Sequence, residues 1–180
     1  LKMQASVLGY FVHEKVERFE ARPDKAVATP AFFGSFKVLK NHDLSVRAFY
    51  KRMFRMPTFN DLYYTDMGNA FLKPEYAEQF NVGLKYTRNF EKSPFMRMLD
   101  VSVDAYYNKI TDKIIAYPKG QQFRWTMLNL GEVEIKGVDA VLNTQFSLGK
   151  LEVTTKFQYT YQKAIDITDP ADTYYRDQIP

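Results

Sequence analysis

Two imidazoles, His13 and His42, are all this sequence offers for histidine chemistry, and they stand far apart. No H-E-x-x-H, G-x-S-x-G or Gly-rich phosphate loop accompanies them, so both read as solvated side chains and no enzymatic activity is expected. The chain has no Cys, which removes a disulfide framework and thiolate metal sites. Asp166, Asp169 and Asp172 put three carboxylates at a spacing of three in a link. Oxygen ligands of this kind suit Ca2+. They equally suit a solvated acidic loop, the reading favoured here, and no cofactor or metal is expected. The side chains best equipped to meet a ligand are aromatic: Tyr63, Tyr64, Phe71, Tyr117, Phe123 and Trp125. Aromatic rings give large contact area at low entropic cost. The same rings also pack loops together, and both roles stay open.

These residues fall in long links at 52–74 and 109–132, between segments that alternate apolar and polar residues. Six such segments stand out, at 32–38, 44–50, 80–86, 99–107, 138–148 and 151–161. In 99–107, Leu99, Val101, Val103, Ala105 and Tyr107 oppose Asp100, Ser102, Asp104 and Tyr106. A period of two puts each set on one face of a sheet. One face then carries Val101, Val103, Ala105, Leu142, Phe146, Val153 and Phe157; the other carries Asp104, Asn143, Gln145, Lys156 and Gln158. Two further strands are expected at 3–12 and from about 173. The links alternate in length: 13–29 long, 40–43 short, 52–74 long, 88–98 intermediate, 109–132 long, 148–150 short, 163–173 long. Short turns on one side and long loops on the other are the habit of a transmembrane β-barrel.

Composition fits that class. There are 15 Phe and 13 Tyr against one Trp, with only 8 Gly. Tyr50, Tyr86, Tyr106, Tyr107, Tyr159 and Tyr161 lie near strand ends, where rings at a water–membrane interface would form girdles; β-rich proteins in general also use Tyr freely. No run of 18 apolar residues suggests a membrane-crossing helix. The net charge of +4 is spread over interleaved acids and bases, so no nucleic-acid groove is expected. The mean hydropathy of −0.40 is compatible with a barrel whose lumen-facing residues are polar. The rival reading is a soluble, secreted β-sandwich that binds carbohydrate with aromatic loops. Leu1–Ser6 lacks the basic and apolar regions of a signal peptide; a barrel bound for an outer membrane would need one, so on that reading the start is expected to be a boundary within a longer protein.

The long link at 52–74 has its own wording. Phe54-Arg55-Met56-Pro57-Thr58-Phe59-Asn60-Asp61-Leu62-Tyr63-Tyr64 is followed by Gly68-Asn69-Ala70-Phe71-Leu72-Lys73-Pro74-Glu75. Pro57 withholds a ladder donor and should end the strand before it. Pro74 holds Lys73 extended and should launch the next strand. Arg55 stands close to Asp61 and Glu75, and reads either as a structural ion pair at the loop base, the favoured reading, or as a ligand contact. Gly137, inside a strand pattern, suggests a bulge or a close approach. Later phrases are Glu78–Tyr86, Asp104–Ile114, Leu128–Asp139 and Arg176–Pro180.

In order and spacing these phrases resemble TonB-dependent outer-membrane receptors, whose barrels carry stretches close to F-R-x-P-[ST]-[FL]-x-[DE]-L-[YF] and G-N-x-x-L-K-P-E. Asn81 and Asp139 depart from the acidic and Glu residues usual at those places, which bears on lumen polarity. The resemblance implies an all-β antiparallel meander of about eight strands, with residues 1–180 forming a middle to C-terminal part of a 22-stranded barrel. The plug and the remaining strands would lie outside it. It also implies a cell outer membrane location in a Gram-negative bacterium, contact with the lipid bilayer and lipopolysaccharide, and coupling to the TonB complex through the plug. The nutrient ligand would be a siderophore-metal chelate, cobalamin or something similar, met by flat aromatic faces in the external loops. Cut out alone, such a sheet would leave two unpaired edges and an apolar face, and is expected to self-associate.

Overall fold

The computed structural model describes residues 1–13, 15, 24–38, 43–65, 67–119, 124–173 and 175–179. Among them are seven strands and one short helix. The strands are β1 (Lys2–Val12), β2 (Lys25–Lys37), β3 (Asp43–Arg55), β4 (Glu75–Asn89), β5 (Met96–Lys119), β6 (Arg124–Leu148) and β7 (Leu151–Asp166); the helix, α1, is Phe59–Tyr63. All seven strands lie in one sheet in chain order, each antiparallel to the next. The architecture is the all-β meander that alternation predicts. A sandwich needs a second sheet to cover the apolar face, and the described strands form only one.

Three expectations need correction. Among the described residues the eighth strand is not formed: beyond residue 173 they make a single bridge, Ile165 to Gln178. The link at 109–132 is mostly strand, because β5 and β6 run on as a paired hairpin to Lys119 and Arg124. The link at 13–29 is shorter than expected, because β2 starts at Lys25. Pro30 sits inside β2 and is tolerated there for a clear reason. The ladder with β3 begins only at Ala31, so the missing N–H of Pro30 deprives no partner on that side. Of the turn expected at 40–43, only Asp43 is among the described residues. The hairpin at 148–150 forms as expected, with Leu148 paired to Leu151 and Gly149 at φ +65°.

Register decides which side chains share a face. Leu44, Tyr86, Val101, Leu142 and Phe157 form one cross-strand row; Val46, Leu84, Val103, Ala140 and Tyr159 form the next; Ala48, Val82, Ala105, Val138 and Tyr161 a third. The other face carries rows such as Thr87–Asp100–Asn143–Lys156 and Ser102–Val141–Gln158. The two expected sets therefore lie on opposite faces without mixing. The apolar face is open: Val82 is 56% exposed and Phe157 65%. Tyr50, Phe80 and Tyr107 close this face at the long-link end, with adjacent rings 4.9 and 6.2 Å apart. Tyr106 does not join them. It belongs to the polar face, because its register partner is Gly137.

Two glycines make that polar face possible. Arg47 on β3 and Asp104 on β5 both pair with Gly83 on the strand between them. Arg47 Nε donates to Asp104 Oδ1 at 3.0 Å, and Arg47 Nη2 donates to Asp104 Oδ2, a bidentate pair crossing directly over Gly83. A Cβ on Gly83 would overlap both groups. Gly137 likewise takes the ring of Tyr106, whose hydroxyl reaches Gln162 Oε1 on the far strand at 3.0 Å. Gly137 thus marks a close approach and not a bulge, since pairing is continuous through it. The one register shift in this hairpin is at Met96/Met98.

Gly83→Ala should displace the Arg47–Asp104 pair and cost about 1–3 kcal/mol. Gly34→Ala, where an added Cβ meets nothing within 4 Å, should stay within about 0.5 kcal/mol of the parent. Urea unfolding followed by tyrosine and tryptophan fluorescence reads the difference; equal midpoints for the two variants would refute the notch.

Candidate functional site

The long-link end gathers residues 56–74, the extended tip of the β5–β6 hairpin and residues 167–179. Pro57 stops β3 and α1 follows at once. Thr58 Oγ1 accepts from Asp61 N at 3.2 Å, and Asp61 Oδ2 accepts from Thr58 N at 2.9 Å. This reciprocal cap satisfies two otherwise orphaned N–H groups. The same Asp61 carboxylate accepts from Arg55 Nη2 at 3.1 Å, and Arg55 Nη1 lies 3.5 Å from Glu75 Oε2. Glu75 Oε2 in turn accepts from Ile114 N at 3.1 Å. Arg55 therefore ties the end of β3 to the start of β4, after Pro74, and Glu75 carries the tie to β5. The geometry is that of an ion pair at the loop base.

Two asparagines that sequence reasoning did not single out hold the loop down. Asn129 on β6 accepts from Lys73 N at 2.8 Å, and its Nδ2 donates to Lys73 O at 3.0 Å and to Asp112 O at 2.7 Å. One side-chain amide thus behaves as a strand partner for Lys73. It also satisfies the carbonyl of Asp112, whose φ of +54° is unusual for a residue with a Cβ. Asn69 Nδ2 donates to Met127 O at 3.0 Å and its Oδ1 accepts from Phe71 N at 3.0 Å, while Met127 N donates to Met67 O at 2.8 Å. Under these bonds Leu62, Leu72 and Ile114 are buried together, with Tyr63 and Met127 packed against them. Gly68 allows the return: a Cβ there would overlap Leu62 O and Tyr64 N. The sequence did carry two signals, the Thr58-x-x-Asp61 capping pattern and an Asn in each of two family-like phrases.

The segment after β7 folds back onto the same end. Ile167 N donates to Glu132 O at 2.9 Å, Glu132 N donates to Thr168 Oγ1 at 2.9 Å, and Ile179 N donates to Ala164 O at 3.0 Å. Ile179 packs on the cluster around fully buried Val133, with Ala77 and Ile110. Asp166 Oδ1 accepts from Thr168 N and Asp169 Oδ1 from Ala171 N, each at 2.8 Å, so these two carboxylates shape the turn. Among the described residues no group of three metal-ligating side chains comes together.

Between the hairpin tip and this returning segment lies a hollow of about 490 Å3, walled by Ile115, Tyr117, Pro118 and Trp125 on one side and Asp166, Asp177 and Ile179 on the other. Its size and its mainly apolar wall with a few polar groups suit a ligand. Of the six aromatic candidates, Tyr117 and Trp125 line it, both about half exposed. Tyr63 instead packs under the loop, with the Phe59 ring 5.1 Å away. Tyr64 is exposed and Phe71 stands out at 93% exposure, both away from the hollow. Phe123 lies outside the described residues. His13 is far from all of these, at the end of β1, with Nδ1 2.6 Å from Asp24 Oδ1; His42 is not among the described residues.

A family model described as TonB dependent receptor-like, beta-barrel, matches residues 11–180. The vitamin B12 transporter BtuB of Vibrio vulnificus is 32% identical over 99 residues, 55% of this chain and 14% of that protein. The vitamin B12 transporter BtuB of Photobacterium profundum is 34% identical over 113 residues, 59% of this chain and 16% of that protein. The chain thus matches less than a fifth of the length of either relative.

Asn129→Ala removes three hydrogen bonds and leaves Lys73 and Asp112 without their partner. Residues 56–74 should then open more readily, by about 1–3 kcal/mol, while the β2–β3 and β3–β4 ladders are untouched. Hydrogen exchange at Lys73 and Phe71 against exchange in β3 reads this; unchanged loop protection would show that the buried leucines alone hold the loop.

Proposed function

This chain belongs to the TonB dependent receptor-like β-barrel family, and on that premise we propose that it is part of the wall of an outer-membrane receptor that binds a scarce nutrient and imports it. The observation that carries this reading is the two-faced sheet with its long loops at one end. The apolar face runs along β6 from below Lys136 to Phe146, about ten residues. At about 3.3 Å per residue and a tilt of about 40°, that covers about 25 Å, the height of a lipid-facing belt. A ring of Tyr50, Phe80 and Tyr107 at one margin sits where a girdle belongs. The polar face, with Arg47, Asp100, Asp104 and Asn143, then lines the lumen.

Strands in such a receptor are scaffold, and loops meet the ligand. The Asn129 and Arg55 ties fix the loops relative to the barrel rim, so an aromatic wall is held in place before a ligand arrives. Tyr117 and Trp125 present flat apolar surfaces across a hollow large enough for part of a ring-shaped or chelate ligand. Both relatives named above are vitamin B12 transporters, so cobalamin is the ligand we put first, ahead of siderophore-metal chelates. Energy coupling would come from the TonB complex acting on a plug supplied by chain outside residues 1–180. In this role the chain binds and conducts, and performs no catalysis.

In the whole receptor, Tyr117→Ala and Trp125→Ala should each weaken cobalamin binding by about tenfold or more. Phe71→Ala, remote from the hollow, should have a smaller effect. Equilibrium binding of labelled cobalamin to purified receptor measures this. Unchanged affinity in both wall variants, with folding intact, would remove the hollow from the ligand path. Binding of a ferric chelate in place of cobalamin would move the receptor to the siderophore group.

A further inference from the structure

The hollow beside the hairpin tip is one-sided in charge. Ile115, Tyr117 and Trp125 form an apolar wall, while Asp166, Asp177 and Gln178 line the other side. Among the described residues no basic side chain lines it, although Arg124 and Arg176 adjoin lining residues in sequence. The chain as a whole carries a net charge of +4. An acidic wall without a cation is therefore a local arrangement and not a reflection of composition.

The backbone holds the two aspartates side by side. Asp166 N donates to Asp177 O at 3.1 Å, and Arg176 N donates to Asp166 O at 2.7 Å. The Asp166 carboxylate is also fixed in orientation. Its Oδ1 accepts from Thr168 N and from Thr168 Oγ1, and Thr168 Oγ1 accepts from Glu132 N at 2.9 Å. The Thr168 side chain fills the space over Gly131, where an added Cβ would overlap it. A threonine keyed into β6 thus sets this carboxylate before any ligand arrives. These bonds occupy one oxygen of Asp166. Its Oδ2 and both carboxylate oxygens of Asp177 have no donor among the described residues. Carboxylates with unused lone pairs in a concavity attract donors and positive charge, and repel anions. The π faces of Tyr117 and Trp125 have the same preference.

We propose that Asp166 and Asp177 are the residues that set the ligand class of this hollow. The flat apolar body of the ligand lies against Tyr117 and Trp125. Amide N–H groups or a positive charge at its edge donate to the two carboxylates. An anionic chelate of the same size brings like charge to the acidic wall and is turned away. Selection of this kind comes from the repulsive element as much as from the attractive one.

This inference rests on the hollow being the ligand site proposed above, and its test keeps the two apart. Cobalamin carries primary amides around its ring, and hydrolysis of one of them leaves a carboxylate with little change of shape. Equilibrium binding to the whole receptor is measured for cobalamin and for each singly hydrolysed derivative. The parent should bind at least one derivative about tenfold more weakly than cobalamin. Asp177→Asn, which keeps the shape and removes the charge, should shrink that ratio to about twofold or less. Asp166→Asn, which keeps an acceptor for Thr168, should shrink it in the same sense. Asp169→Asn, in the same segment but outside the hollow, should leave the ratio at the parent value. If Asp166→Asn fails to fold, Asp177→Asn carries the test. Equal binding of cobalamin and every derivative by the parent, or an unchanged ratio in Asp177→Asn, would overturn the charge selection; a loss of cobalamin binding in Tyr117→Ala would then still keep the hollow as the ligand site. Cobalamin binding that is indifferent to Tyr117 and Trp125 would overturn the site and this inference with it.

Discussion

Everything in this sheet depends on register. Side chains alternate with a period of two, so a slip of one residue between any two strands would carry Asp100, Asp104 and Asn143 to the apolar side and Val101, Val103 and Leu142 to the polar side. The ladders run in step from β1 to β7, with a single shift at Met96/Met98 in the β5–β6 hairpin. Three devices hold the alignment. Gly83 admits the Arg47–Asp104 pair over its own strand, Gly137 admits Tyr106, and Gly149 closes the tightest hairpin. Each fails if its strand moves by one position, because the glycine no longer lies beneath the group that needs the space.

From that frame the loop end inherits its order. β5 and β6 climb well past the ends of β3, β4 and β7, and the loop at 56–74 lies against their upper part. Three stretches distant in sequence meet at one amide: Asn129 bonds to Lys73 and to Asp112, while Arg55, Asp61 and Glu75 close the loop base beside it. The family-like phrases are therefore largely the two sides of a single clamp. The spacing in this chain has a mechanical consequence: a loop shorter or longer by one residue would bring Lys73 past Asn129. Beyond the clamp, Tyr117 and Trp125 at the hairpin tip line the hollow beside the returning segment, while Tyr64 and Phe71 stand exposed outside it.

The sequence was most legible where one face is apolar and the other polar. The segments 44–50, 80–86, 99–107, 138–148 and 151–161 all fall within strands, and their faces sort as alternation requires. Legibility ended at the extended β5–β6 hairpin tip. Ile114-Ile115-Ala116-Tyr117 and Met127-Leu128-Asn129-Leu130 show no alternation, since loop 56–74 packs on one side of that hairpin, and with Pro118 and Gly131 nearby they read as a loop. Pro30 hid the start of β2 in the same way. The role of Arg55 at the loop base was readable from its neighbours, while those of Asn69 and Asn129 were not, because their partners are backbone groups 58 and 56 residues away in the chain. Tyr106 lies near a strand end like the girdle tyrosines, but alternation already sets it on the face opposite Tyr107, and the register agrees.

The central claim is that one face of this sheet meets lipid and the other meets water. Residues 1–180 contain no Cys, so with any Cys elsewhere in the receptor replaced, single spin labels can be placed on this sheet. Val46→Cys, Leu84→Cys and Val103→Cys on one face, and Ser45→Cys, Ser102→Cys and Gln158→Cys on the other, would be labelled in receptor reconstituted into bilayers. Collision with dissolved oxygen, which concentrates in hydrocarbon, is compared with collision with a water-soluble nickel chelate. The first set should respond to oxygen and the second to the chelate, in strict alternation along each strand. Shielding of the first set from both agents would mean a packed protein core behind that face, and equal access of the chelate to both sets would mean a sheet in water; either result contradicts the barrel wall.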